Sequence, residues 1–438
     1  MLIVASVIGA GIFFTPSQIA TLLPHAGLIL LAWLVGAVLS LAGAFANAEL
    51  GAMYPHAGGD YVYLREGLHP AAGFLVGWLS FFAIYAGTIA ALALILGDAF
   101  AKAFGLGDLG EFFFASSIIV ASSALNARGV RVGASINNLT SGLKIVALLA
   151  FVLAAALIGE GTFEPWASAS TTAVSEGARS SAGMRVGWAS FGAALSPVLF
   201  SFLGWNASVY VASEIRDPQR NVPRSLFAGL GICTAIYMFV NIAYLYALSP
   251  AEMIASEDAG IAASLALFGD VGGAWITGFV LLSVFGTLNA TVLVGPRIAY
   301  AMALDGLFFG PAEKVNERFH TPNVAIWLQA AVSIALVAFL DNFPKALDFT
   351  VFGIVLATSA DVVALFALRR RRPDMPRPYR TWGYPWVPLL YVVANLGIGV
   401  ALIIESPREC FITAVLLAVG LLIYCALTRW GQGQARVV

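Results

Sequence analysis

Apolar stretches of about twenty residues, long enough to cross a bilayer as helices, recur along the whole chain between short polar joints. They predict about twelve membrane helices near 1–23, 27–53, 70–101, 111–126, 132–158, 188–213, 224–248, 272–303, 322–341, 346–368, 385–405 and 409–428. The class is all-α integral membrane, because a helix satisfies its own backbone where lipid offers no hydrogen bonds. No polar block is long enough for a separate soluble domain. An even number of crossings puts both termini on one side. Lys102, Arg179, Arg185, Lys345 and Arg408 fall on the opposite side, and Lys144 lies inside helix five. All other basic residues, including the run Arg369 to Arg372, lie on the termini's side or at helix ends facing it. That asymmetry predicts a multi-pass protein of the cell (plasma or inner) membrane with both termini in the cytoplasm.

Two of the apolar stretches are interrupted. Ile8-Gly9-Ala10-Gly11-Ile12-Phe13, with Pro16 close behind, breaks the first, and Phe200-Ser201-Phe202-Leu203-Gly204-Trp205-Asn206 breaks the sixth. Glycines are costly inside a membrane helix, and unwound backbone survives there only where protein covers it or a cavity receives it. One reading is a glycine pair that lets another helix approach closely. The other is a binding site, since discontinuous helices at matching places in two halves mark inverted-repeat transporters. Helices one to five (1–158) then form one repeat and helices six to ten (188–368) the other. An external loop (159–187), a basic cytoplasmic joint (369–384) and helices eleven and twelve with a short tail (385–438) complete the chain. In the outer joint 249–271, the stretch Ile261–Phe268 is a candidate interfacial helix.

Composition agrees with the pattern. The chain has 438 residues, is 60% hydrophobic and 11% charged, and its mean hydropathy is +0.88. Soluble domains run nearer a quarter charged. A net charge of −1 gives no reason to expect nucleic acid. Cys233, Cys410 and Cys425 have neither metal nor disulfide spacing, and His25, His56, His69 and His320 are scattered over joints. No catalytic residue, metal site or cofactor is expected, and no loop carries the clustered carboxylates or Ser/His/Cys constellation of a membrane enzyme. A channel would need charge rings or filter loops. The first apolar run lacks a basic n-region and is not read as a signal peptide.

The motifs resemble the amino acid–polyamine–organocation superfamily, and within it the L-type amino acid transporter branch and its bacterial relatives. Gly9-Ala10-Gly11-Ile12-Phe13 with Thr15-Pro16 is similar to the first-helix signature. Glu49-Leu50, Tyr54-Pro55, Gly58-Gly59-Asp60-Tyr61 and Gly77-Trp78 are similar to the second helix, first inner loop and third helix. Gly204-Trp205-Asn206 and the stretch from Glu214 to Arg224 resemble the sixth helix and the loop after it. Asn289, Arg297, Asp305-Gly306, Thr321-Pro322 and the segment from Arg371 through Pro385 continue the match in order. The resemblance implies a 5+5 inverted-repeat, LeuT-like core with broken helices one and six plus two extra helices, and a prokaryotic source. Two departures stand out. Leu304 replaces the arginine usual before the Asp-Gly pair. Only eight residues precede Gly9, roughly 12 Å of helix against a half-core of about 15 Å, so a longer first half-helix is expected.

Both ends of a free amino acid are charged, and each needs partners when buried. The break Ile8–Ile12 offers the N–H groups of Ala10, Gly11 and Ile12 to a carboxylate. Carbonyls of Phe200, Ser201 and Leu203, ahead of Gly204, suit an ammonium. Backbone recognition of this kind reads the amino acid head and leaves the side chain to pocket shape. No acidic side chain is expected near the breaks, and Asn206 stands close to where acid-resistance antiporters carry a glutamate. The expected function is therefore a secondary active transporter of neutral amino acids, by proton symport or exchange. The alternative is a polyamine or cationic amino acid carrier; an integral membrane enzyme is more distant. Phe200 and Phe202 are candidate lids. Thr287 and Asn289 line the pocket or ion site, or else bridge helices. Glu214 with Arg216, Asp217, Arg220 and Arg224 forms an inner gate or a solvated loop. Glu49 is expected in an interfacial network, and Asp361 is buried or pore-facing. Lys144 lies about twelve residues from either helix end, roughly 18 Å, too far to snorkel. Asn138-Leu139-Thr140 ahead of it matches relatives whose fifth-helix lysine occupies the place of a sodium ion, which implies an ion-coupling role. The implied partners are an amino acid and membrane lipid; no partner subunit is legible.

Overall fold

The structure is a computed structural model that describes residues 1–159, 161, 187–256, 258–340 and 342–434, without the side chains of 130–132 and 429–434. The described residues are all helical or connecting backbone, and ten helices are long and apolar enough to span a membrane. The first apolar stretch is split into α1 (Leu2–Val7) and α2 (Gly11–Leu22). Four spans follow, namely α3 (Ala26–Met53), α5 (Pro70–Ala103), α6 (Asp108–Ala127) and α7 (Val130–Ile158). The pattern then repeats. A split segment, α8 (Trp188–Ser201) and α9 (Ala207–Tyr210), precedes α10 (Pro218–Ala247), the short α11 (Pro250–Ala255), α12 (Ala259–Val294) with α13 (Pro296–Leu304), α14 (Asn323–Leu340) and α15 (Phe343–Arg371). Helices α16 (Trp386–Glu405) and α17 (Pro407–Gln434) lie beyond it. The loop expected at 159–187 is outside the described residues apart from its ends, as is the end of the tail and the placement of Arg179 and Arg185.

Local chemistry explains where the elements depart from the apolar pattern. Helix α10 begins six residues before the apolar run, because Pro218 supplies a preset φ at its first position after Asp217. Residues 259–268 form a helix ahead of the eighth span, joined to it at Gly269, whose φ of +66° no β-branched residue would adopt cheaply. The expected interfacial helix at Ile261–Phe268 falls inside it. The first inner joint is more ordered than its polarity suggests. Gly58 and Gly59, with φ of +110° and +50°, turn the chain into α4 (Asp60–Gly67), a short helix that packs back into the bundle. Within α5, a π-helical turn at Ser80–Tyr85 shifts the register of the side chains that follow.

The end of the bundle rich in arginine is clamped by one carboxylate. Glu49, at the foot of α3, is fully buried and accepts from Arg369 at 2.6 and 3.0 Å and from the Thr381 N–H at 2.7 Å, with Arg377 at 3.2 Å. Arg369 also lies 3.8 Å from the ring centroid of Tyr384. Part of the Arg369–Arg372 run is therefore an internal staple between α3, α15 and the joint before α16, in addition to any part it plays at a membrane surface. Breaking such a buried pair leaves an uncompensated charge and costs about 3–5 kcal/mol. Glu49→Ala is expected to lower the thermal unfolding midpoint of the detergent-solubilised protein by several degrees, more than Arg372→Ala, whose exposed guanidinium pairs with Glu66. Equal midpoints would show that the clamp is not a stability element.

Candidate functional site

The two breaks meet in the middle of the bundle. Helix α1 ends at Ile8, whose backbone turns out to ψ of 95°, and its last carbonyls need donors. Lys144 provides them: its Nζ donates to the Ile8 carbonyl at 2.5 Å, to the Ala5 carbonyl at 3.3 Å and to Thr287 Oγ1 at 2.7 Å. Thr287 itself lies 3.0 Å from the Ile8 carbonyl. A buried ammonium at the C-terminus of a half-helix also meets the negative end of its dipole. Across the break, the N–H groups of Ala10, Gly11 and Ile12 have no protein acceptor among the described residues. They stand at the positive end of α2, where an anion is stabilised.

The second break packs directly on the first. An added Cβ at Gly11 would lie 2.5 Å from Ser201 Cα, and one at Gly204 would lie 2.6 Å from Ser6 Cβ. Gly204 also has φ of +93°, which favours glycine. The close-approach reading of these glycines therefore holds. Ser201 is held at 2.8 Å from Thr15 Oγ1, and its carbonyl lies 2.9 Å from the Tyr237 hydroxyl, which is also 2.7 Å from the Val7 carbonyl. The Phe200 carbonyl accepts from the Leu203 N–H at 2.9 Å. Two of the three carbonyls expected to face an ammonium are thus already engaged, each with one lone pair left.

A cavity of about 40 Å3 lies between the breaks, lined by Gly9, Ala10, Gly11, Phe200, Leu203, Gly204, Asn206 and Thr287 among others. Ile8, Ile12, Ser201 and Phe202 are buried beside it instead of lining it. Phe200 meets Phe343 at 5.5 Å, and Phe343 meets Phe14 at 6.0 Å. These rings separate the cavity from a vestibule of about 630 Å3 that contains Gln18, Asp98, Glu111 and Asp258. Burial pushes the Asp258 carboxyl at its rim up to about 6. Phe202 points the other way, between Trp33 and Tyr237 at 6.1 and 5.2 Å. At the arginine-rich end, Tyr61 and Arg65 both bond Asp305, and Arg297 pairs with Glu214 at 3.1 Å. Glu214 thus bonds across to α13, while Arg216, Asp217, Arg220 and Arg224 are exposed. Asn289 bridges helices, donating to Asn137 Oδ1 at 2.7 Å and accepting from Asn126 at 2.8 Å, with no place on the cavity wall.

One expectation is overturned. An acidic side chain does lie near the breaks, because Asp60 at the start of α4 is buried and lines the cavity. Its carboxylate accepts from the hydroxyl of Tyr210, whose ring lies 5.3 Å from that of Tyr85. An added Cβ on Gly59 would lie 2.6 Å from the Tyr210 ring, so the glycine pair is what admits Asp60. Asp60, Tyr85 and Tyr210 were missed as site residues. The Gly58-Gly59 step was the available pointer. Thr88 and Thr291 also face the cavity, each with its proton committed to the carbonyl four residues earlier at 2.7 and 2.9 Å. What they offer the cavity is acceptor oxygen and methyl.

Comparison with known proteins agrees with this arrangement. A family profile described as amino acid permease matches residues 1–425. The serine/threonine exchanger SteT of Bacillus subtilis (strain 168) is 30% identical over 432 residues, 98% of this chain and 95% of that protein. The rat large neutral amino acids transporter small subunit 2 is 28% identical, covering 98% of this chain and 79% of its own length. The rat b(0,+)-type amino acid transporter 1 is 26% identical, covering 100% and 89%. With two broken helices packed around a shared cavity and a profile that spans nearly its whole length, this multi-pass membrane chain belongs to the amino acid permease family, and it is a transporter and not an enzyme.

Proposed function

We propose that the protein exchanges or symports small neutral amino acids across the cell membrane, with its arginine-rich end in the cytoplasm, and that its two sets of five spans act as inverted repeats. The observation that carries this reading is the pair of unpartnered N–H groups of Ala10 and Gly11 at the wall of a cavity shared with the second break, with the unpartnered N–H of Ile12 buried behind them. The substrate carboxylate bonds those donors. Its ammonium takes the remaining lone pairs of Phe200 and Leu203, which line the cavity, while the Ser201 carbonyl expected beside them lies behind the wall. The cavity is small, and the acceptor oxygens of Thr88 and Thr291 suit a side-chain hydroxyl, in keeping with a relative named as a serine/threonine exchanger. The wide vestibule on one side and the ion pairs closing the other fit alternating access, with the Phe14–Phe343–Phe200 rings as the outer lid. Lys144 fixes the end of α1 and stands where a coupling cation would otherwise bond the same carbonyls.

Asp60 favours a second reading, a carrier of cationic amino acids. Proteoliposomes loaded with unlabelled amino acid distinguish the two. Labelled serine or threonine is expected to enter by exchange, and arginine is not. Arginine uptake at the serine rate would establish the second reading.

Two substitutions test the geometry. Gly204→Ala is expected to cut uptake at least about tenfold, since it combines positive-φ strain of order 1–3 kcal/mol with a collision on Ser6. Unchanged uptake would mean the second break moves freely past α1. Lys144→Ala removes the donor from the α1 carbonyls, at about 1–3 kcal/mol for buried acceptors left unmade. It is expected to reduce transport strongly, and sodium is expected to leave the unaltered protein's uptake unchanged. Sodium-driven uptake by the unaltered protein would contradict the role given to Lys144.

A further inference from the structure

Directly beneath the cavity lies a second carboxylate that no substrate contact uses. Asp361 on α15 is fully buried, and its Oδ2 accepts from Asn47 Nδ2 of α3 at 3.1 Å. Its carboxyl group is within hydrogen-bonding reach of the Asp60 carboxyl. Each of the two has one engaged oxygen and one that is not. Asp60 Oδ2 has Tyr210 and Asp361 Oδ2 has Asn47, while both Oδ1 atoms are buried with no partner. The hydroxyl of Tyr63, one turn along α4, is also buried and unpartnered beside the pair. Two helices thus deliver a carboxylate each and two more deliver one donor each, which leaves a deficit of donors between the carboxylates.

Charge makes the deficit sharper. The groups that face the pair are Tyr63 on α4, Tyr85 on α5, Tyr210 on α9, Asn47 on α3 and Tyr391 on α16. None is cationic. The nearby arginines are engaged elsewhere, Arg65 with Asp305 and Glu66, and Arg369 and Arg377 with Glu49. Two ionised carboxylates side by side in a dry interior repel each other and are each penalised by burial. A single proton between the free oxygens removes one charge and gives both a hydrogen-bond partner.

We infer that Asp60 and Asp361 hold one shared proton and that this pair is the proton-carrying site of the transport cycle. The inference rests on the transporter reading and adds the proton's place to it. Asp60 connects the pair to the cavity, so the proton passes between its carboxyl and cavity water, leaving or restoring a carboxylate. Tyr210 follows the second break on α9. Motion of that segment between the two open states withdraws the Tyr210 hydroxyl from Asp60 or returns it, and so changes how tightly the proton is held. Substrate binding at the break and proton affinity at the pair are thereby linked.

Infrared spectroscopy of the purified protein tests the site without any transport step. At about pH 7.5, where an ordinary carboxyl is ionised, the unaltered protein is expected to show a protonated-carboxyl stretch that is lost in both Asp60→Asn and Asp361→Asn. Asp258→Asn and Asp348→Asn, at buried carboxyls outside the pair, are expected to leave that band in place. In proteoliposomes, Asp361→Asn is expected to lose the pH dependence of uptake that the unaltered protein shows. A band that survives both pair substitutions, or no band at all, would overturn the shared proton. The band with an unchanged pH profile in Asp361→Asn would overturn its place in transport. Because the spectrum needs no substrate, a wrong choice of amino acid would leave it unaffected.

Discussion

The structure turns on how the interrupted first helix has its backbone satisfied. A break at this depth exposes carbonyls on one side and N–H groups on the other, and lipid can bond neither. Lys144 and Thr287 take the carbonyls of Ala5 and Ile8. The N–H groups of Ala10, Gly11 and Ile12 have no acceptor among the described residues. One end of the break is therefore saturated by the protein itself and the other is not, and the proposed substrate site rests on that asymmetry. The Lys144 amino group saturates the carbonyl end as part of the chain. Its reach from α7 also ties the fifth span to the first and eighth.

The second constraint is closeness. Gly11 against Ser201 and Gly204 against Ser6 bring the two broken segments to a separation that no side chain would permit. At that distance a small amino acid can touch both half-helices at once. The single hydroxyl proton of Tyr237 lies within reach of the carbonyls of both Val7 and Ser201, at the junction of the two segments. The Glu49 clamp and the Asp305 and Glu214 ion pairs lie at one end only, and the aromatic rings at the other are uncharged. Opening the two ends therefore demands different kinds of work: ion pairs must be hydrated at one, and stacked rings parted at the other.

Much of this was legible in the sequence because hydropathy and glycine placement report directly on membrane helices. The spans followed from apolar length, the breaks from Gly9, Gly11 and Gly204, and the burial of Lys144 from its distance to either helix end. Asp60 was not legible as a cavity residue. It lies in a polar joint, and only the positive φ of Gly58 and Gly59 turns that joint into a helix that re-enters the bundle. The π-helical turn at Ser80–Tyr85, which aims Tyr85 at the cavity, leaves no mark in an apolar run. Phe200 and Phe202 could not be told apart because an unwound helix end has no fixed period. The first lines the cavity and meets Phe343, and the second is packed between Trp33 and Tyr237. Asn289 and Glu214 were recognised as polar residues that matter, but their partners, Asn137 with Asn126 and Arg297, lie on other helices far along the chain.

The central claim is that backbone groups at the breaks recognise the charged head of a free amino acid. The most direct measurement is equilibrium binding to the purified protein of serine, serine methyl ester and N-acetylserine, in sodium-free buffer. The account predicts that serine binds, and that masking either the carboxylate or the ammonium weakens binding by about 10–100-fold, the worth of a charge-assisted hydrogen bond. Binding of the methyl ester as tight as that of serine would contradict it.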